Sequence, residues 1–185
     1  IGELIELARE SRPDIVVEPA GDVRLDLVTA DAVERTRRNR PTVEFETDLQ
    51  ETLVHGAPST IERAVANLLD NAAKWSPPGG PVEVVVRDGE VVVRDHGPGI
   101  SDEDLPYVFD RFYRSRGARG LPGSGLGLAI VKQVAESHGG SVVAEQPDDG
   151  ELHVQLVLQH RHQLDRDQGV EPHVDERALD LDPLG

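Results

Sequence analysis

Asn67 and Asn71 stand four residues apart, with Lys74 three further on, inside the run Asn67-Leu-Leu-Asp-Asn71-Ala-Ala-Lys74. The apolar residues Ile61, Ala64, Val65, Leu68, Leu69 and Ala72 recur around them at helical spacing, so the run reads as an amphipathic helix. Positions 67, 71 and 74 then share one face. Asn is a poor residue for a helix interior, because its side chain competes with the backbone for hydrogen bonds. Two carboxamides and an ammonium on one stripe offer amide oxygens to a hard cation and a positive charge to phosphate. A solvated polar face is the other reading, and this stretch alone does not separate the two.

Two glycine stretches carry further chemistry. Asp95-His96-Gly97-Pro98-Gly99-Ile100 follows directly on an alternating apolar run. Its glycines let the backbone approach a ligand closely. A carboxylate at the end of a buried strand accepts from an amino group such as that of adenine; a turn after an edge strand is the plainer alternative. Gly123-Ser124-Gly125-Leu126-Gly127-Leu128 opens a helix and so turns N–H groups and the positive end of the dipole toward an anion. It has no Gly-Lys-Ser/Thr, so it is not a P-loop, and it matches the dinucleotide fingerprint only loosely. Tight helix packing would also use small residues, but a basic loop directly precedes these glycines. Between the two lies Phe109-Asp-Arg111-Phe112-Tyr-Arg114, whose aromatics read as a hydrophobic anchor for that loop. Arg111, Arg114, Arg116 and Arg119 make a patch of positive charge in an acidic chain, a place to receive anions.

The elements that must position these residues follow from the order of the chain. Residues 1–12 have helical spacing and read as the end of a helix stopped by Pro13, and 13–22 reads as a linker or an extended segment. A helix carrying Leu25, Leu27, Val28, Ala32 and Val33 runs into Arg35, Arg37, Arg38 and Arg40, a basic patch read as a solvated face. Strands are expected around Val43 to Phe45 and over Thr52 to His55. Pro58 or Ser59 is placed to start the helix of the opening stretch, and Ser76-Pro-Pro-Gly-Gly80 stops it. Val82, Val84 and Val86, the turn Asp88-Gly89, then Val91 and Val93 form a hairpin. Ser101 with Asp104 predicts an N-cap opening a short helix or two through Leu105, Val108, Phe109 and Phe112. A helix from Gly125 ends at Gly139-Gly140. Two strands, Ser141 to Glu145 and Leu152 to Leu158, follow across a Pro-Asp-Asp-Gly turn.

The bulk properties narrow the classes. The 185 residues suffice for one domain with appendages, with an aliphatic core, since there are one Trp, two Tyr and three Phe. With no Cys, disulfides and thiolate zinc sites are excluded. The net charge of −16 argues against nucleic acid as a partner. No apolar run reaches transmembrane length. The chain starts at Ile1, which predicts a piece of a longer protein whose anchor lies elsewhere. Residues 160–185 read as a flexible acidic tail.

In this order the four stretches resemble the N box, first glycine box, F box and second glycine box of sensor histidine kinase catalytic domains, a family that extends to DNA gyrase, mismatch-repair ATPases and large heat-shock chaperones. The resemblance covers about Val23 to Leu158. It implies a two-layer α/β sandwich: a mixed, mainly antiparallel sheet with helices on one face, over residues 23–159. It implies ATP and Mg²⁺ as cofactors. Asn71 would hold the metal with Asn67 beside it, and Lys74 would meet phosphate. Asp95 would accept from the adenine amine, with Gly97, Gly99 and Ile100 shaping the pocket. Phe109, Arg111 and Arg114 would border it, the stretch from Arg114 to Ser124 would be an ATP lid, and residues 123–128 would set backbone amides on the phosphates.

Hydrolysing members of the family place a Glu one turn before the metal-binding Asn, as a general base for water. Asn67 stands there instead, which implies transfer to a protein histidine rather than to water. His96 replaces a common Asn, which leaves the contact there open, and Trp75 a Tyr or Phe. None of the seven His sits in a phosphoacceptor motif, so residues 1–12 would end a dimerisation helix whose acceptor lies upstream. The implied partners are that phosphoacceptor domain, a response regulator and, for the full-length protein, a second copy. The implied location is the cytoplasmic side of a membrane-anchored receptor. An ATP-hydrolysing switch and a degenerate nucleotide-binding module remain the competing classes.

Overall fold

The computed structural model describes residues 18–115, 123–147 and 151–159. The expected helix end at 1–12, most of the lid, the turn at 148–150 and the acidic tail lie outside these. Strand β1 (Gly21–Arg24) leads directly into helix α1 (Leu25–Asn39), and strands β2 (Phe45–Leu49) and β3 (Leu53–Gly56) precede helix α2 (Pro58–Trp75). The hairpin β4 (Val82–Arg87) and β5 (Glu90–Asp95) follows, then a single 3-10 turn (Leu105–Tyr107), helix α3 (Gly127–Ser137), β6 (Ser141–Glu145) and β7 (Leu152–Val157).

Five strands form one sheet in the order β2-β4-β5-β7-β6, while β1 and β3 pair separately. Among the described residues only β2 and β4 run parallel; the other pairs are antiparallel. The period of two decides the faces. Val82, Val84, Val86, Val91, Val93, Leu152, Val154 and Leu156 turn inward against Ile61, Val65, Leu68 and Leu69 of α2 and Val131 and Val134 of α3. Removing each such side chain from water contributes about 1.5–3 kcal/mol. The expected sandwich, with helices on one face of a mixed sheet, is what forms. The Asp88-Gly89 turn takes positive φ at both residues (51° and 83°), as the hairpin's twist demands.

The extended reading holds at the end of 13–22, where β1 begins at Gly21 because Gly21 to Arg24 finds an antiparallel partner in Leu53 to Gly56. Two local expectations need correction. Ser101 does accept from the Asp104 N–H (3.2 Å), but only the 3-10 turn follows, since Pro106 within it has no N–H to continue a helix. Phe109 packs against the core, whereas Phe112, expected beside it as anchor, is 70% exposed with φ +65°.

Candidate functional site

Helix α2 positions the amide stripe. Its apolar face is buried through Ala73, leaving Asn67, Asn71 and Lys74 half-buried on the other side. Its first turn is capped from far along the chain. Ala57 N–H donates to His138 Nε2 (3.1 Å), and Ser59 N–H donates to the Glu18 carboxylate (2.9 Å). A cleft of about 580 Å³ lies at this end, beside His55, Ser59, His138 and Gln159. It is well away from the amide stripe, so this cleft is not the expected ligand site.

The four motifs meet through close contacts at glycines. A Cβ on Gly127 would lie 3.3 Å from Asn67 Oδ1, and one on Gly123 would lie 3.0 Å from Lys74 Nζ. The second glycine box therefore faces the α2 stripe. Gly125 takes φ +71° and accepts from the Phe112 N–H (2.9 Å), which ties that box to the F box. A Cβ on Gly97 would lie 2.8 Å from Trp75 O, so the first glycine box rests on the end of α2.

Asp95 ends β5 facing inward and is only 3% exposed. Its Oδ1 accepts from the Gly97 N–H (2.9 Å). Burial pushes its carboxyl up to about 6, against the lowering effects of that bond and of His96. Among the described residues, nothing bonds its second oxygen. Gly99 takes φ +69°, and Ile100 N–H donates to Gln146 Oε1 (2.6 Å). Burial, then the charges of Arg114 and Arg40, hold the Lys74 ammonium below its ordinary value, so two guanidiniums lie within electrostatic reach of it. Asn67 Nδ2 donates to Arg63 O (2.8 Å). The Asn71 carboxamide has no hydrogen bond among the described residues. It is thus a hard oxygen donor free to meet a cation, and no group of three acidic or His residues competes among the described residues. Such a cation would take its remaining ligands from phosphate and water.

Seven of the sixteen expected site residues are joined by these contacts, namely Asn67, Lys74, Asp95, Gly97, Gly123, Gly125 and Gly127. Asn71 lies one turn along the same face, and Leu126 and Leu128 hold the start of α3. Ser124 is exposed. Arg111 turns to Gln133 on α3 (3.3 Å) and shows no link to the others among the described residues. Sequence reasoning missed Arg40, read as part of a solvated face, although Pro41 beside it marks the point where α1 stops next to α2. It also missed the partners of His96.

Residues 56–162 match the family model described as "Histidine kinase-, DNA gyrase B-, and HSP90-like ATPase". The chain belongs to this family. Among family members, it is 46% identical over 155 residues to the signal transduction histidine-protein kinase/phosphatase MprB of Mycobacterium avium (strain 104), a match covering 81% of this chain and 29% of that protein. MprB of Mycolicibacterium smegmatis is 43% identical over 189 residues, covering 96% and 38%. The chain thus spans well under half the length of these curated relatives. The solved mycobacterial sensor histidine kinase MprB is 45% identical with TM-score 0.71, covering 76% of this chain and 99% of that one. The ATP binding domain of PrrB from Mycobacterium tuberculosis, at 24% identity and TM-score 0.59 over 76% and 97%, shares the family fold. No helix among the described residues is long and apolar enough to cross a membrane.

Proposed function

We propose that this chain is the ATP-binding catalytic domain of a sensor protein-histidine kinase. It binds Mg-ATP between α2, the end of β5 and the start of α3. A histidine nitrogen on a separate dimerisation domain attacks the γ-phosphorus in line, the bond to the bridging oxygen breaks, and ADP leaves. The phosphoryl group then passes to a response regulator. Such transfers rely on positioning and charge neutralisation. Asp95 orients the base by accepting from the adenine amine, and Lys74, Arg114 and the amides of residues 123–128 bind the phosphates. Asn71 would hold Mg²⁺, which neutralises phosphate charge when bound.

The observation that carries this reading is Asn67. Its side chain reaches from α2 to Gly127 at the position where hydrolysing relatives carry a carboxylate base, and an amide cannot take a proton from water. Transfer to a protein is therefore favoured over hydrolysis. The full-length protein is read as a membrane-anchored homodimer with this domain in the cytoplasm. The test mixes the chain with γ-labelled Mg-ATP and a separate His-bearing acceptor domain from a sensor kinase. Acid-labile phosphate on the acceptor is the expected result. Free phosphate released at a rate independent of the acceptor would favour an ATP-hydrolysing switch instead.

A further inference from the structure

Arg94, Asp95 and His96 alternate across the sheet. Asp95 points into the core, and its two neighbours point to the opposite face. There they meet two carboxylates from the strands on either side. His96 Nε2 lies 2.9 Å from Glu83 Oε1 of β4, and His96 Nδ1 contacts Glu151, just before β7. Arg94 Nε donates to Glu151 (2.6 Å), and Arg94 also lies 3.6 Å from Glu83. His153 of β7 pairs across from Arg94, with Glu145 of β6 beyond it. An imidazole with a carboxylate acceptor at each nitrogen satisfies both bonds only as a double donor, which is the imidazolium.

We propose that His96, held between Glu83 and Glu151, is a positioning residue of the adenine site: it pins the strand end that carries Asp95, and its positive charge keeps the Asp95 carboxylate in its accepting form. The proposal rests on the reading of Asp95 as the adenine acceptor. The bonds on both sides of β5 fix the backbone one residue either side of Asp95. The Gly97 N–H then holds one oxygen, and the other faces the ligand. A buried carboxylate is easily lost to protonation, and a neutral carboxyl is a poorer acceptor for an amine. A cation one residue away opposes that loss. Partial burial disfavours the charged form of His96, but the bonds to Glu151 and Glu83 outweigh it and hold its pKa above the ordinary value. His96 is therefore still charged where Asp95, at about 6, ionises.

The test measures Mg-ATP affinity of the whole chain from pH 5 to 8.5, in wild type, His96→Asn, His96→Lys and Asp95→Asn. The nucleotide phosphates titrate alike in every case, so differences between profiles belong to the protein. In wild type, affinity should fall toward acid pH near the Asp95 ionisation. In His96→Asn that fall should begin at least ~0.5 pH unit higher. His96→Lys keeps a cation between the glutamates and should restore the wild-type profile. A His96→Asn profile that superimposes on wild type, while Asp95→Asn loses binding, would overturn the His96 role alone. Unchanged binding in Asp95→Asn would overturn the adenine assignment and this proposal with it. Should His96→Asn not fold, NMR titration of the wild type decides. His96 deprotonating above the pH where Asp95 ionises supports the proposal, and the reverse order overturns it.

Discussion

Replacing Asp95 by Asn should separate the stability of the fold from its function. The carboxyl is buried, and its pKa is raised from an ordinary 3.8 to about 6. The folded chain therefore holds this proton more tightly than the unfolded chain does. Stability must fall as pH rises from about 4 to about 6, and this contribution is flat above that. At about 1.4 kcal/mol per tenfold change in proton affinity, the full cost at neutral pH is about 3 kcal/mol. Near pH 5 about half of it is relieved. The carboxamide of the variant would keep an oxygen for the Gly97 N–H and would carry no charge. Its unpaired NH₂ adds a penalty of about 1–3 kcal/mol, but that penalty does not vary with pH.

The quantity to measure is therefore the difference between variant and wild type in urea unfolding at pH 5 and pH 7.5. It should move in favour of the variant by about 1.4 kcal/mol between the two. Mg-ATP affinity should move the opposite way. Losing a hydrogen bond to a charged acceptor costs about 1.5–3 kcal/mol, or about 10- to 150-fold. A stability difference constant between the two pH values would refute burial of an ionised Asp95. Unchanged affinity would refute its role as acceptor.

Three further outcomes follow from the contacts. Gly97→Ala would drive a Cβ to 2.7 Å from Asp95 Oδ1 and 2.8 Å from Trp75 O; it should lower stability by about 1–3 kcal/mol in thermal unfolding and weaken ATP binding. Asn71→Ala should weaken binding of Mg-ATP but change binding of ATP in EDTA far less, as calorimetry in the two buffers would show; equal losses would remove Asn71 from the metal. His138→Ala leaves the Ala57 N–H without its side-chain acceptor and should cost about 1 kcal/mol in urea unfolding, with nucleotide affinity unchanged, because Asn71 lies about 20 Å further along α2.

What the sequence reveals here depends on range. The periods of α1 and α2 and the β4–β5 hairpin are local signals, and each element forms within a few residues of its expected place. The parallel pairing of β2 with β4 has no local signature. The cap of α2 is invisible in the sequence for the same reason: Ala57 has no side-chain oxygen, and the acceptors come from Glu18 and His138, 41 and 81 residues away. The F-box region misleads because its apolar spacing suggests helix where Pro106 and a positive φ at Phe112 permit only turns. At the site, the motif residues can be named from the sequence but their contacts cannot. His96 gives no hint of its role, because Glu83 and Glu151 reach it only through the pairing of three strands.

The glycines of the site act as spacers between the motifs, beside the phosphate-binding role proposed for their amides. At Gly97 and Gly125 the nearest atoms to an added Cβ include backbone at 2.7–2.8 Å, which no side-chain rotation relieves. The ends of α2 and β5, and the F box and the start of α3, sit at separations that only a missing side chain allows. Gly127 differs: its nearest neighbour is Asn67 Oδ1 at 3.3 Å, so an added methyl there would press on the α2 stripe itself. The stripe and the glycine box are therefore one packed unit. A bulkier side chain at position 67 that keeps this direction would press on the start of α3. Asn67, which we propose favours phosphotransfer over hydrolysis, is thus also a packing neighbour of the start of α3.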